Sequence, residues 1–292
     1  MRTALVFGAS GQIGRPLLDR LRDDGWRVLA VSRSVQADHP GLQWRLGDLS
    51  SDALSVGAGL PARVDAILCC GPLDRFADWY AKTAVEARRV IAFGSTSIDA
   101  KRGSADAEER ALVERLRSAE RLLFETAGTR AVAATVLRPT LVYGRGADRN
   151  LTRIAAIARR FGRIVLPRRA DGLRQPVHAD DLARAAFDAL DAAATHGRAY
   201  ALPGGETLPY REMVARVCAV LEPPSRLHEW PAPLFNTVLA AAHAAGFARD
   251  FNEAAVRRMR SDLVFDPADA QRDFGYAPRP FRPTASMFRA AR

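Results

Sequence analysis

The sequence predicts an α/β fold, a doubly wound parallel sheet with a smaller and less regular C-terminal lobe. Two observations carry this expectation. The first half alternates short β-branched apolar runs with helical patterns, as expected when parallel strands are joined by crossover helices. At the first strand-to-helix junction the run VFGASGQIG, residues 6–14, contains Gly8, Gly11 and Gly14, each three positions apart. The length of 292 residues suits one large α/β core sharing the chain with a smaller lobe.

Taken in order, ALVFG (4–8) reads as a strand and QIGRPLLDRLRDDG (12–25) as a helix stopped by Gly25. RVLAVS (27–32), LQWRLGDL (42–49) and VDAILCC (64–70) are strand-like. A helical stretch at about 74–88 leads into the strand RVIAFGS (89–95). Residues 104–128 form a long amphipathic helix, with Leu112, Leu116, Ala119 and Leu123 at helical spacing. AATVLRPT (133–140) is a further strand, and HADDLARAAFDALDAA (178–193) is a helix opened by two aspartates that suit its positive end. The expected core is residues 1–145 completed by about 175–203, leaving 146–174 and 204–292 to the lobe, with a cleft between.

Hydrophobic content of 48% and charged content of 26% place the chain among ordinary globular proteins. Cys69, Cys70 and Cys218 have neither zinc-ligand spacing nor a disulfide framework, and the start MRTALVFG leads directly into the glycine loop. A cytoplasmic location is therefore expected, with no metal. The uncharged stretch 230–248 is rich in alanine and holds two prolines, so it is expected to be a buried or pocket-lining helix rather than a membrane span. Net charge is +10, carried by arginine, since Lys82 and Lys101 are the only lysines. Nine arginines face two aspartates between Arg145 and Arg174. Such a field either favours an anionic partner or is a solvated helix face. With Phe161 as its one interleaved aromatic and no known module, the segment does not point to nucleic acid.

Each glycine of the loop has a steric reason when a dinucleotide is the ligand. Gly8 permits the tight turn, Gly11 lets backbone amides approach a pyrophosphate, and Gly14 lets the helix pack on the strand. The helix N-terminus adds partial positive charge for the phosphates. At the end of the second strand stand Ser32, Arg33 and Ser34, with no acid before Asp38. A carboxylate there would bind the ribose 2′-OH of NAD and repel a 2′-phosphate, so NADP is favoured over NAD. Asp48 either bonds the adenine amino group or caps the helix after it.

Together GASGQIG, GDL (47–49), FGSTS (93–97), LRPTLVYG (137–144), RQPVHADDLARA (174–185) and FDPADAQRDFGYAP (265–278) resemble, in order, motifs of the NAD-dependent epimerase/dehydratase branch of the short-chain dehydrogenase/reductase superfamily. The resemblance covers most of the chain and implies a Rossmann-type core with a substrate-binding lobe. It implies cofactor contacts from Gly8, Ser10, Gly11, Gln12, Ile13, Gly14, Arg33, Asp48, Leu49, Cys70, Gly71, Arg138 and Pro139. It also implies that the arginine at position 174 contacts a substrate diphosphate, a bidentate task suited to guanidinium. The competing reading of Arg174 pairs it with Asp180 or Asp181. Relatives pair helices matching 76–88 and 104–128 between copies, which implies a homodimer.

The catalytic signature departs from the pattern. Members carry Tyr-x-x-x-Lys on the long helix, the tyrosine as general acid/base and the lysine lowering its pKa. Anchoring on Glu120 places these positions on Leu112 and Leu116. None of the five tyrosines, at 80, 143, 200, 210 and 276, has lysine four places on. The hydroxyl partner remains as Thr96 or Ser95, and Tyr143 is a further candidate acid. Other titratable candidates are His178, Asp99, Lys101, Asp74 and Lys82. Two functions follow. One is an atypical oxidoreductase, epimerase or dehydratase acting on a nucleotide sugar or similar anionic small molecule. The other is a non-catalytic dinucleotide-binding sensor or accessory subunit.

Overall fold

The computed structural model describes residues 1–49, 59–148, 150–244 and 253–289. Two compact units emerge. The first comprises Met1–Thr140, Ala179–Leu202 and Asp266–Ala277; the second comprises Leu141–His178, Pro203–Phe265 and Pro278–Arg292.

The first unit is built on a seven-stranded sheet. Its strands are β1 (Thr3–Phe7), β2 (Arg27–Ser32), β3 (Leu42–Leu46), β4 (Ala66–Cys69), β5 (Arg89–Phe93), β6 (Ala133–Pro139) and β11 (Arg198–Leu202). They lie in the order β11-β6-β5-β4-β1-β2-β3, every pairing parallel. This is the Rossmann-type arrangement that the alternating pattern predicts, with the chain reversing direction across the sheet beside β1.

Helices α1 (Gly14–Asp23), α2 (Leu73–Lys82), the short α3 (Ser97–Ala100), α4 (Ala107–Thr129) and α6 (Ala179–Asp188) cover the sheet. Leu5, Phe7, Ile67, Val90 and Ala92 pack with Phe76, Trp79, Tyr80, Ala119 and Leu123 of α2 and α4. The alternate strand residues Ala4, Val6, Ala30, Leu68 and Ile91 are equally buried and point to the opposite face. Helix α4 starts later than the expected 104, because Asp106 is its cap and accepts from the amides of Glu108 and Glu109. Helix α2 ends at Lys82 rather than near 88, where Thr83 turns the backbone extended.

Residues 266–277, expected in the smaller lobe, group instead with the first unit. They contain α10 (Ala268–Phe274), whose Asp273 is held by β11. Tyr200 donates to Asp273 Oδ2 at 2.6 Å, and Arg198 and Arg272 pair with the same carboxylate. The Tyr200 hydrogen bond, with the two arginines, holds the Asp273 carboxyl below the usual carboxylate range. The stabilisation from a depressed carboxyl is complete above the unfolded pKa of about 3.9 and is lost as pH falls through the folded value. Asp273→Asn is therefore expected to lower the melting temperature at neutral pH and to shrink its fall on acidification. Melting curves from pH 3 to 7 check this, and parallel curves for parent and variant would count against it.

The second unit has short pairs in place of a sheet. These are β7 (Val142–Tyr143) with β10 (Val177–His178), β9 (Leu173–Arg174) with β12 (Leu208–Pro209), and β8 (Arg163–Pro167) with β13 (Arg226–Trp230). Its helices are α5 (Leu151–Phe161), α7 (Tyr210–Ala219), α8 (Ala232–Ala244) and α9 (Glu253–Arg258). The core joins Tyr143, Leu151, Ala155 and Leu166 to Met213, Val217 and Phe281. Helix α8 corrects one expectation. Among its described side chains only Phe235 is buried, while Leu234 and Val238 stand 48% and 46% exposed. Alanine and proline give the helix little bulk to bury, so its apolar composition does not produce a buried helix. Among the described residues no helix is long and apolar enough to cross a membrane.

Candidate functional site

The glycine loop lies where β1 hands over to α1. Gly8 has φ of +65°, and a Cβ on it would sit 2.7 Å from the carbonyl carbon of Cys70 and the nitrogen of Gly71. A Cβ on Gly14 would lie 2.4 Å from the Gly8 oxygen. Both positions are therefore closed to any side chain by backbone. Gly11 differs, since its Cβ would meet only the Gly8 oxygen, at 3.0 Å, and the residue is exposed. Its amide donates to that same oxygen at 3.0 Å.

Helix α1 begins without a side-chain cap, Ile13 standing at the cap position, and has no acid in its first turn. The Arg15 amide donates to the Gly11 oxygen at 3.1 Å and Pro16 has none, so among the described residues the amides of Gln12, Ile13 and Gly14 are the ones open to an anion, with the helix dipole behind them. Gln12 Oε1 is buried and accepts no hydrogen bond, an acceptor in want of a donor. Ser10 lies against the end of β2, its Oγ accepting from Ser32 Oγ at 3.3 Å, and its carbonyl accepts from Arg15 Nε at 3.2 Å. Arg33 follows β2, exposed and without a hydrogen bond or ion pair among the described residues. The loop and its open amides fit the diphosphate of a dinucleotide, whereas the Gln12 oxygen calls for a donor such as a ribose hydroxyl.

The neighbouring strand end completes this wall. Cys70 donates its amide to the Phe7 oxygen at 2.9 Å, and Gly71 donates to Cys69 Sγ at 3.4 Å. Burial pushes the Cys69 thiol up to about 12 and Cys70 well above its usual value, so neither is a nucleophile at neutral pH. Leu49 packs on the first core and lies over Gly71, and Asp48 is half-buried beside it with an interaction of its own. The helix that Asp48 was expected to cap falls within 50–58, outside the described residues.

At the ends of β5 and β6, Thr96 is 6% exposed and its Oγ1 donates to the Pro139 oxygen at 3.0 Å, which also accepts from the Thr96 amide. Ser95 Oγ donates to Ser97 Oγ at 3.0 Å. Arg138 grips Glu120 with two donors, Nε at 2.9 Å, and reaches Asp99 at 3.4 Å. Burial opposes the Arg138 charge, but Glu120 and then Asp99 raise its pKa above the ordinary value. The Glu120 carboxylate is itself buried and lies over Gly94, where a Cβ would come within 3.0 Å of Oε1. Sequence reasoning uses Glu120 only as a landmark; the bare Gly94, two strands from the loop in the sheet, was the signal for this pair. Leu112 and Leu116 lie half-buried on α4.

Tyr143 and Arg174 belong to the second unit. Tyr143 is fully buried, edge-on to His178 at 5.1 Å and to Phe281 at 4.9 Å. His178 fills the space a side chain at Gly144 would need. Arg174 is 5% exposed. Its guanidinium donates to the carbonyls of Leu173, Ser261 and Arg258 and lies 5.4 Å from the Tyr210 ring. Burial lowers its pKa, against the smaller raising influence of Tyr210 and Asp262.

Comparison with known proteins adds the family and bears on the fold. Over 94% of both lengths the chain is 28% identical to a 2-alkyl-3-oxoalkanoate reductase of Stenotrophomonas maltophilia (strain K279a). Among solved structures, the epimerase Mth375 of Methanothermobacter thermautotrophicus superposes with a TM-score of 0.71 at 14% identity, covering 98% of this chain and 90% of that one. The Bordetella bronchiseptica enzyme WbmH, solved with NAD+, gives 0.68 at 17% identity over 98% and 97%. MoeE5, solved with UDP-glucuronic acid and NAD, gives 0.66 at 20% identity, also over 98% and 97%. These likenesses establish the fold. The model of the NAD dependent epimerase/dehydratase family matches residues 4–92 and 114–202, more than half of the chain, and the protein is a member of that family.

Proposed function

We propose that the protein binds a nicotinamide dinucleotide at the Gly8–Gly14 loop, NADP in preference to NAD, and acts as an oxidoreductase or epimerase/dehydratase on an anionic small molecule. The observation that carries the reading is the uncapped start of α1 behind a cradle that backbone alone closes to side chains. Bound there, the dinucleotide supplies a hydride donor or acceptor. The chain's own part is to grip the phosphates with loop amides and to present the hydroxyls of Ser95 and Thr96 at the end of β5.

The NADP preference rests on Arg33, exposed and without an ion pair among the described residues where an NAD enzyme would place a carboxylate. Arg33→Asp is expected to shift the NADPH-to-NADH affinity ratio about tenfold or more toward NADH, since one cation to a 2′-phosphate is exchanged for a repelling anion. Fluorescence titration with both nucleotides checks it; an unchanged ratio removes Arg33 from the 2′-phosphate site.

An anionic substrate draws support from the arginine-rich segment 145–174 and from MoeE5, which was solved with a nucleotide sugar. Arg174 lends less, because three carbonyls already engage it. The relative's reductase activity supports reduction of a carbonyl. The test is to follow NADPH absorbance with nucleotide sugars and carbonyl compounds and to analyse products separately, because epimerisation regenerates its cofactor.

A second reading has its own observation. Leu112 and Leu116 cannot move a proton, and the Thr96 hydroxyl donates to the Pro139 carbonyl. These favour a protein that holds the dinucleotide as a sensor or accessory subunit. Tight dinucleotide binding with neither absorbance change nor new product across the panel selects it.

A further inference from the structure

Helix α8 is the largest feature of the second unit that the dinucleotide reading does not use. Residues 231–247 contain no acidic or basic residue apart from His243. An uncharged apolar helix is ordinarily buried in a core or against lipid. This one turns Pro233, Leu234, Asn236, Thr237, Val238 and Ala240 outward. Leu234 and Val238, four residues apart, share one helix face.

The approach to this helix is basic. The Arg168 amide donates to the Trp230 oxygen at 2.8 Å, which fixes the turn after β8 two residues before α8 begins. Arg168 and Arg169 are exposed there and form no ion pair among the described residues. Trp230 is half-buried at the same point, and Glu229 is the acid beside it. At the other end of the β8–β13 ribbon Arg163 and Arg226 are register partners. Next to them Arg160 stands 5.5 Å from the ring of Phe161, itself 61% exposed.

We propose that α8 and the Arg168–Arg169 turn dock on the surface of an anionic lipid bilayer, the helix lying in the interface without crossing it. Thirteen residues give a helix of about 20 Å, short of the roughly 30 Å hydrocarbon core. Apolar side chains on a helix with arginine and tryptophan at its border suit the boundary between headgroups and acyl chains. Charge decides against the other occupants. A second copy would bring the same arginines against each other in a chain of net charge +10, and a nucleic acid has no use for Leu234 and Val238. Anionic headgroups satisfy the arginines while the acyl boundary covers the helix.

Co-sedimentation of the full chain with vesicles tests this. Binding is expected to phosphatidylcholine vesicles containing about 30% phosphatidylglycerol, and not to phosphatidylcholine alone, weakening as salt rises above roughly 0.1 M. Leu234→Asp with Val238→Asp is expected to lower partitioning at least about tenfold, since each buried methylene contributes to insertion. Arg168→Glu with Arg169→Asn, the latter chosen because residue 169 has φ of +62°, should lower it at least about 25-fold, at roughly fivefold for each cation lost. All four residues are exposed, and unchanged melting and NADPH affinity show that the variants fold. Equal retention on both vesicle types, or retention indifferent to both double variants, overturns the proposal. So does a dimer in sedimentation equilibrium that Leu234→Asp with Val238→Asp dissociates, because a second copy would then be the cover, and so does salt-sensitive binding to duplex DNA in place of vesicles.

Discussion

Gly11→Asp is expected to weaken binding of NADPH and NADH by at least about 100-fold, or nearly 3 kcal/mol, while the protein stays folded. The two halves of this expectation come from different atoms. A Cβ at position 11 meets only the Gly8 oxygen, at 3.0 Å, so the backbone must give by a few tenths of an ångström. That costs on the order of 1 kcal/mol, or a few degrees of melting temperature. The carboxylate beyond it would add a negative charge to the loop whose amides, in the proposed function, hold the diphosphate. It occupies the anion site with its own charge and repels the ligand's. Gly14→Val is the contrasting control. Its side chain would meet the Gly8 and Ala9 oxygens at about 2.5 Å, so it should displace α1 from the sheet and lower stability by roughly 1–3 kcal/mol. Titration of nucleotide fluorescence beside thermal melts separates the two effects. Undiminished affinity in a folded Gly11→Asp protein would remove the loop from the binding site, and with it the proposed function.

This contrast between three equally spaced glycines marks how far the sequence could be read. The motif was legible because the constraint is local: a turn with positive φ, a close helix and an open amide face all fall within seven residues. The strands were legible for a similar reason, most being short apolar runs buried on both faces. Contacts between distant segments were not legible. Nothing near Asp273 in sequence shows that Tyr200 and Arg198, more than seventy positions earlier, will hold it to β11. The motif around Arg174 suggested a ligand or a neighbouring aspartate, but its partners are backbone carbonyls of residues 258 and 261 as well as its own neighbour. Composition identified the 230–248 stretch as apolar, yet could not say which side, if any, would be covered. The Glu120–Arg138 pair lies between: both residues sit in recognisable motifs, but only the bare Gly94 admits the carboxylate beneath them.

Arg89 offers the largest expected effect away from the loop. It opens β5 in the strand RVIAF and is 6% exposed, with no carboxylate in ion-pair reach among the described residues. Its guanidinium instead donates to the carbonyls of Ala133 (2.9 Å), Ala189 (2.9 Å) and Leu190 (3.3 Å) and to the hydroxyls of Thr135 (2.7 Å) and Thr195 (2.6 Å). Thr135 in turn donates to the Thr195 carbonyl at 2.5 Å. One side chain thus ties β5 and β6 to the segment that leads from α6 into β11. Burial pushes its pKa down to about 10, which still leaves it charged at neutral pH. Arg89→Met keeps comparable bulk but leaves these acceptors without donors where water does not reach, and each unmade bond of this kind costs roughly 1–3 kcal/mol. Relief of the buried charge offsets part of the loss, so the expected net destabilisation is about 3 kcal/mol, or several degrees in melting temperature. Arg89→Lys should recover little. An ammonium restores the charge but has three donors and no planar fork to span both threonines and three carbonyls. Denaturant unfolding of the two variants is the measurement. A loss below about 0.5 kcal/mol for Arg89→Met, the range of ordinary surface changes, would show that the network follows the fold instead of holding it.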